Sequence, residues 1–253
     1  MLRKFPYLPL HRLKLLAVAW DLTATTPDLL PPRDVVLRPA ESADFPRLLS
    51  FMQRPDFQGE RVPLLSGIEQ RYEEGDVCFI GEYRGEIAYI SWMRFDSASL
   101  GKFGIEISLV SGEAYVGTAM TLPEFRGRGL ATAAETARAR WLRDKGIGQT
   151  YAWVHPSNFV MLKVMRRTDA RPVGHIVQFF MKVSRQTRRI LNLAASFHPD
   201  DPLASWCSPP RLHFTSGISV YRRGRIEWPG GHGASQSLLS APQPPGSSRQ
   251  MRM

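Results

Sequence analysis

Residues 126–131 read Arg-Gly-Arg-Gly-Leu-Ala, set between an apolar run that stops at Pro123 and a stretch of helical periodicity. Two glycines in that place allow a sharp reversal, and the helix that follows begins with N–H groups that have no partner within it. The helix dipole adds about half a positive charge at the same end, so an anion is favoured there. Gly127 and Gly129 keep side chains away from those amides, while Arg126 and Arg128 add cationic donors. Leu130 is read as the core anchor of the turn, and the small Ala131 lets the start of the helix lie close to a ligand. A bare Gly-x-Gly is more often only a tight connection. Here the strand before, the helix after and both arginines point to a phosphate-binding turn. It is neither a P-loop, which ends in Gly-Lys-Ser/Thr, nor a dinucleotide fingerprint with three spaced glycines and a later acidic residue.

Around this turn the pattern alternates between periods of two and of about three and a half, as in a mixed α/β domain. Val35 to Arg38 reads as a strand, followed by a helix capped at Ser42 and Asp44 with Phe45, Leu48, Leu49 and Met52 on its apolar face. A second helix is expected over residues 66–74, then two strands joined at Arg84-Gly85, an irregular stretch over 100–111, and a third strand from Glu113 to Leu122. After the turn, Leu130, Ala134, Ala137 and Trp141 form one helical stripe that Gly146 and Gly148 end. A strand from Thr150 to Val154, a helix over 157–167 and a strand over 177–183 complete the order β-α-α-β-β-β-α-β-α-β.

The flanks read differently. Residues 10–22 suggest an amphipathic helix within an N-terminal extension (residues 1–33), either a strap on the domain or a surface helix. Residues 185–253, rich in Pro, Gly, Ser and Arg, are expected to be mostly disordered, with a short strand over 212–221. The formal charge of +10 lies mainly in these flanks. Residues 34–184 carry 19 basic and 18 acidic side chains, whereas residues 1–33 contribute +3 and residues 185–253 contribute +6. Arginines scattered through a low-complexity tail argue against nucleic acid as a partner. Only Cys78 and Cys207 are present, without metal-ligand spacing, which argues against a disulfide framework or a metal and fits a reducing, cytoplasmic setting. No apolar run approaches the ~20 residues that span a bilayer. Nothing distinguishes a monomer from a homodimer.

The sequence resembles the GNAT superfamily of N-acetyltransferases, whose acetyl-CoA signature is Arg/Gln-x-x-Gly-x-Gly/Ala. Arg126-Gly127-Arg128-Gly129-Leu130-Ala131 satisfies every specified position, and Leu122-Pro123-Glu124-Phe125 looks like the family's approach to that turn. The resemblance runs from about Asp34 to Val183. It implies an α/β (α+β) fold with a central, mostly antiparallel mixed sheet, splayed between its fourth and fifth strands and flanked by helices. Acetyl-CoA is the implied acyl donor. Its pyrophosphate would rest on the turn, and its pantetheine arm would lie in the splay along the backbone of Ala119, Met120 and Thr121. Asn158 stands where many relatives have an asparagine that contacts the arm; capping the following helix is the alternative.

Two family features are absent. Seven residues after Asn158, where many relatives carry the tyrosine that protonates the departing thiolate, stands Met165; Asp169-Ala170 replaces a usual Gly-Phe. Methionine cannot donate a proton, so the general acid must be sought elsewhere. Strand alternation puts Glu113, the first candidate for base, on one face with Tyr115, Gly117 and Ala119. Tyr115 is a candidate acid. The bland alternatives are a solvated strand-end glutamate and a packed tyrosine. His155, Glu106, Trp92 and Trp153 are substrate-side candidates whose alternatives are capping or core packing. The expected activity is direct transfer of acetyl from acetyl-CoA to a primary amine of unidentified acceptor. A longer acyl donor and a non-catalytic acyl-CoA-binding module remain the alternatives.

Overall fold

The computed structural model describes residues 10–23, 30–57, 65–100, 104–183, 186–196, 212–215 and 218–223. Its strands are β1 (Leu10–Asp21), β2 (Val35–Pro39), β3 (Val77–Tyr83), β4 (Glu86–Arg94), β5 (Ser97–Leu100), β6 (Ile105–Ser108), β7 (Glu113–Thr121), β8 (Gln149–Val154), β9 (Arg171–Val183), β10 (Gln186–Ser196), β11 (Leu212–Phe214) and β12 (Ile218–Arg223). Its helices are α1 (Phe45–Met52), α2 (Leu65–Glu73), α3 (Leu130–Asp144) and α4 (Phe159–Arg167). Nine strands form one sheet in the order β12-β10-β9-β1-β8-β7-β4-β3-β2, and β11-β6-β5 form a smaller one. Within the large sheet β7–β8 and β10–β12 are parallel; the other neighbours run antiparallel.

The segment expected as an amphipathic helix over residues 10–22 is instead β1, lying between β8 and β9. Burial explains the difference. Leu15, Ala17 and Ala19 enter one core cluster, while Leu16, Val18 and Trp20 enter another on the opposite face. A strand covered on both faces reads as a continuous apolar run, whose period does not separate it from a short helix. Trp20 Nε1 also donates to Thr168 Oγ1 at 3.1 Å, fastening β1 to the C-terminal end of α4.

In the tail, β11 and most of β12 fall on the stretch expected to hold a short strand over 212–221, whereas β10 was not expected. β10 lengthens the large sheet along β9, β12 pairs with β10, and β11 pairs with β6. Average composition hid β10 because its neighbours β9 and β12 supply its backbone partners, so it needs few apolar residues of its own. Leu212 and Ala194 are nevertheless buried, and Gln178 Nε2 donates to Asn192 Oδ1 at 3.0 Å between β9 and β10. The remainder of residues 185–253 lies outside the described residues.

The stretch expected to be irregular over 100–111 contains β6, whose Ile105 and Ile107 are buried under the small sheet. The hairpin between β3 and β4 turns at Arg84 (φ 49°) and Gly85 (φ 85°), the two left-handed residues that match a hairpin's twist. Helices α3 and α4 cover one face of the large sheet, with Ala139, Leu142 and Met165 in their core. Helices α1 and α2 cover part of the other face through Leu48, Phe51 and Ile68; the small sheet covers another part.

Candidate functional site

β7 and β8 run parallel but pair only at Glu113–Gln149, Ala114–Thr150 and Tyr115–Tyr151. Both strands continue, β7 to Thr121 and β8 to Val154, without further pairing between them, so the sheet opens into a V. On its other side β7 keeps its ladder to β4, interrupted by a bulge. Gly117 faces Trp92 and Met120 faces Ile90, which leaves Thr118 and Ala119 opposite Ser91 alone. Thr118 takes φ 47°, the local conformation that absorbs the extra residue. Thr118 and Ala119 are exposed, with Met120 and Thr121 half-buried. The backbone expected to hold an arm thus presents its unpaired edge to the opening.

At the open end of β7 the chain passes through a 3-10 turn (Pro123–Phe125) into the glycine turn and α3. Arg126, Gly127, Arg128 and Gly129 are all exposed. Gly127 (φ 75°) and Gly129 (φ 80°, the N-cap of α3) both adopt left-handed backbone, and a Cβ at either would meet no protein atom. Their conformation, not crowding within the protein, requires glycine; the space beside them is open. No side chain caps α3, so the N–H groups of its first turn face that space. Leu130 is buried against Ala88, Tyr89 and Ala134, with Ala131 at the edge of that cluster.

The two arginines divide their work. Arg126 Nε donates to the carbonyl of Thr121 at 3.0 Å, which ties the turn to the last residue of β7. Arg128 lies with its guanidinium carbon 5.7 Å from the centre of the Phe125 ring and keeps its donors at the surface of the turn. This set of open amides, two left-handed glycines and an exposed guanidinium fits a pyrophosphate.

Deeper in the V, the Tyr115 ring lies over Gly117: a Cβ there would stand 2.8 Å from a ring carbon and 3.4 Å from the hydroxyl oxygen. Its phenol is thereby directed along β7 toward the bulge. Burial raises the Tyr115 pKa well above the ordinary tyrosine value, with Arg94 opposing, so the hydroxyl holds its proton at neutral pH. Glu113 is buried at the closed end, where Oε1 accepts from Tyr151 Oη and Oε2 from the Val110 N–H, each at 3.0 Å. On the other arm, Asn158 caps α4 by accepting from Met161 N at 3.1 Å. Phe159 and Val160 beside it are 75% and 77% exposed, whereas Met165 is buried in the core beneath the splayed strands.

Other candidates are placed elsewhere. Trp92 is buried against α1 and α2 with Arg71 stacked 3.8 Å from its ring centre, and Glu106 pairs across to His213 on the small sheet. His155 Nδ1 is engaged by Ser157. Burial pushes the Cys78 thiol up to about 12, so no thiolate forms there at neutral pH. Sequence periodicity missed Glu135 and Arg138, which are 2% exposed and bonded to Tyr89 and Ser91 of β4. Their signal was only their nearness to the Leu130–Ala134 stripe; charges three apart on a helix otherwise read as a solvated pair.

Among the described residues no cluster of His, Cys, Asp or Glu is arranged to hold a metal ion, and no helix is long and apolar enough to cross a membrane.

An α/β domain whose sheet splays beside a glycine turn at a helix N-terminus belongs, as a class, with the acyl-group transferases. The sequence of residues 34–171 matches the family model of the acetyltransferase (GNAT) domain. The chain belongs to the GNAT acetyltransferase family. Among solved structures, the GCN5-related N-acetyltransferase from Sphaerobacter thermophilus is similar with a TM-score of 0.53 and 12% identity, over 68% of this chain and 53% of that one. An acetyltransferase of the GNAT family from Novosphingobium aromaticivorans is similar with a TM-score of 0.47 and 16% identity, over 68% of this chain and 66% of that one. The likeness to the Sphaerobacter protein is one of fold, and the chain spans about half of that protein's length. No curated protein matches it in sequence. β1 and most of β9 to β12 lie outside the residues that the family model covers.

Proposed function

We propose that the protein transfers an acetyl group from acetyl-CoA to a primary amine, directly and without a covalent enzyme intermediate. The observation that carries this reading is the continuity of two surfaces: the exposed residues Arg126–Gly129 of the turn open onto the edge of β7 at Ala119, Met120 and Thr121 that is unpaired toward β8. An acyl donor with a pyrophosphate at one end and an amide-bearing arm at the other spans that pair. The turn would hold the pyrophosphate through backbone N–H groups and Arg128, and the β7 edge would pair with the arm. Asn158, whose Oδ1 is committed to Met161, retains its amide nitrogen for the arm on the opposite wall.

Bound there, the thioester would supply the acyl group, the amine nitrogen forming a C–N bond as the C–S bond breaks. Tyr115 gives its proton to the departing sulfur, replacing the donor that Met165 cannot be, and recovers a proton released from the amine. The assignment rests on the position of the phenol over Gly117 beside the β7 bulge; burial keeps it protonated at neutral pH while making it a weaker acid than an exposed tyrosine. Glu113 is assigned a positional role. Both of its oxygens are engaged, and with Tyr151 it fastens β7 to β8 where the V begins. The alternative of a non-catalytic acyl-CoA-binding module is motivated by Met165 and shares the same cradle.

Calorimetric titration with acetyl-CoA, free CoA and 3'-phospho-AMP tests the site, and thiol release with mixed amines tests the chemistry. Binding of all three with thiol release is the expected result. Binding without release for acetyl or longer acyl donors would favour the non-catalytic reading. Absence of binding would reject both.

A further inference from the structure

Tyr89 and Ser91 of β4 bracket the stretch opposite the β7 bulge: Tyr89 pairs with Thr121, and Ser91 faces Thr118 and Ala119. Both side chains turn to the α3 face and are buried. There Tyr89 Oη donates to Glu135 Oε1 at 3.0 Å, and Arg138 Nη1 donates to Ser91 Oγ at 3.0 Å and to Glu135 Oε1 at 2.7 Å. Arg138 Nη2 completes a bidentate pair with Glu135 Oε2. The network joins the helix that starts at the anion cradle to the strand that backs the bulge.

Burying an ion pair is a poor way to gain stability, since desolvation offsets most of the attraction and an apolar pair of similar volume often serves better. Arg138 carries the further cost of a buried Nε with no hydrogen-bond partner. What such a network supplies is direction: four side chains meet in one geometry, whereas apolar packing tolerates sliding. Glu135 and Arg138 lie five and eight residues after Leu130, about 8 and 12 Å along the helix. They therefore fix how far the cradle stands from the β7 edge, along the axis that a ligand would span.

Resting on the proposed acyl-CoA site, we propose that Glu135 and Arg138 are positioning residues that hold the α3 cradle in register with the β7 bulge, so that pyrophosphate and arm are bound together. Neither residue touches the ligand. A ligand that uses both surfaces depends on their spacing; one that uses the cradle alone does not.

The test compares 3'-phospho-AMP, which reaches only the cradle, with free CoA, which spans both surfaces. The variants are the double apolar replacement Glu135→Leu/Arg138→Met and the milder Ser91→Ala, which removes only the strand-side partner of Arg138. The expected result, by calorimetry, is 3'-phospho-AMP affinity within twofold of the parent protein and CoA affinity weakened about tenfold in the double variant and several-fold in Ser91→Ala. Should the double variant not fold, Ser91→Ala carries the test alone. Unchanged CoA affinity, or equal weakening of both ligands, would overturn the inference while leaving the acyl-CoA site intact. A parent protein that binds neither ligand would overturn both.

Discussion

Arg126 donates through Nε to the carbonyl of Thr121, so the first residue of the glycine turn is bound to the last residue of the splayed strand. The motif's leading arginine thus shapes the turn, and Arg128, exposed beside it, is the arginine proposed to meet the ligand. Arg128→Glu should weaken acetyl-CoA, CoA and 3'-phospho-AMP alike by about tenfold or more, the scale of a charge-assisted hydrogen bond of about 1.5–3 kcal/mol lost to repulsion. Titration of the folded variant checks it, and affinity for all three unchanged from the parent protein would remove the turn from the site.

Gly129 caps α3 at φ 80°. Any L side chain is strained there by about 1–2 kcal/mol, more when β-branched. Gly129→Val should lower the melting temperature by several degrees and abolish measurable CoA binding, since the added branch enters the space beside the free amides. A variant that binds CoA normally would contradict the cradle.

Tyr115→Phe keeps the packing over Gly117 and removes the proton. With Tyr115 as the acid, kcat falls about 10²-fold or more, in the range of general acid catalysis, while acetyl-CoA affinity stays within twofold. The raised pKa fixes the sign of the pH dependence: the active form is protonated, so the parent enzyme should not lose activity through Tyr115 as pH climbs to the ordinary tyrosine value of about 10. Equal turnover by the Phe variant would dismiss Tyr115. Gly117→Ala, which forces the ring aside, should mimic the loss of rate.

Trp20 is nearly fully buried and bonded to Thr168, on a strand that supplies ladder partners to both β8 and β9. Trp20→Ala should destabilise the fold by about 3–5 kcal/mol, the usual cost of deleting a buried aromatic. Denaturant unfolding measures it. Deleting residues 1–23 should leave no soluble domain, and a stable, cooperative fragment starting at residue 24 would show that β1 is dispensable.

Asp44 accepts hydrogen bonds from Arg38, Arg47 and the Glu41 N–H, and the bond from Arg38 leads in holding its pKa below the ordinary value. Its folded pKa lies below its unfolded one, so the stability it lends is full above about pH 4 and is lost as pH falls through the folded value. Asp44→Asn should therefore lower the melting temperature at pH 7 and flatten its decline below pH 4. An unchanged acid limb would show that other carboxylates govern it.

The motif from Arg126 to Ala131, the β3–β4 hairpin and the strand and helix flanking the turn were legible because each is set by local chemistry: left-handed glycines, a strand-ending proline, a single apolar stripe. β1 was not. Its six consecutive buried residues carry no period that separates a strand between two layers from a helix. In the tail, β10 was hidden for a related reason, as its stability is lent by the strands it pairs with.

The sequence by itself determined the glycine turn at the start of α3 and the family, because a turn at a helix N-terminus is built from adjacent residues. Tertiary structure alone decided which side chains support it. Only folding brings Tyr115 over Gly117, Glu113 to Tyr151, and Arg138 to Ser91, residues 47 positions apart. Such pairings depend on strand register and helix rotation, set by the packing of whole elements and not by any local run of residues.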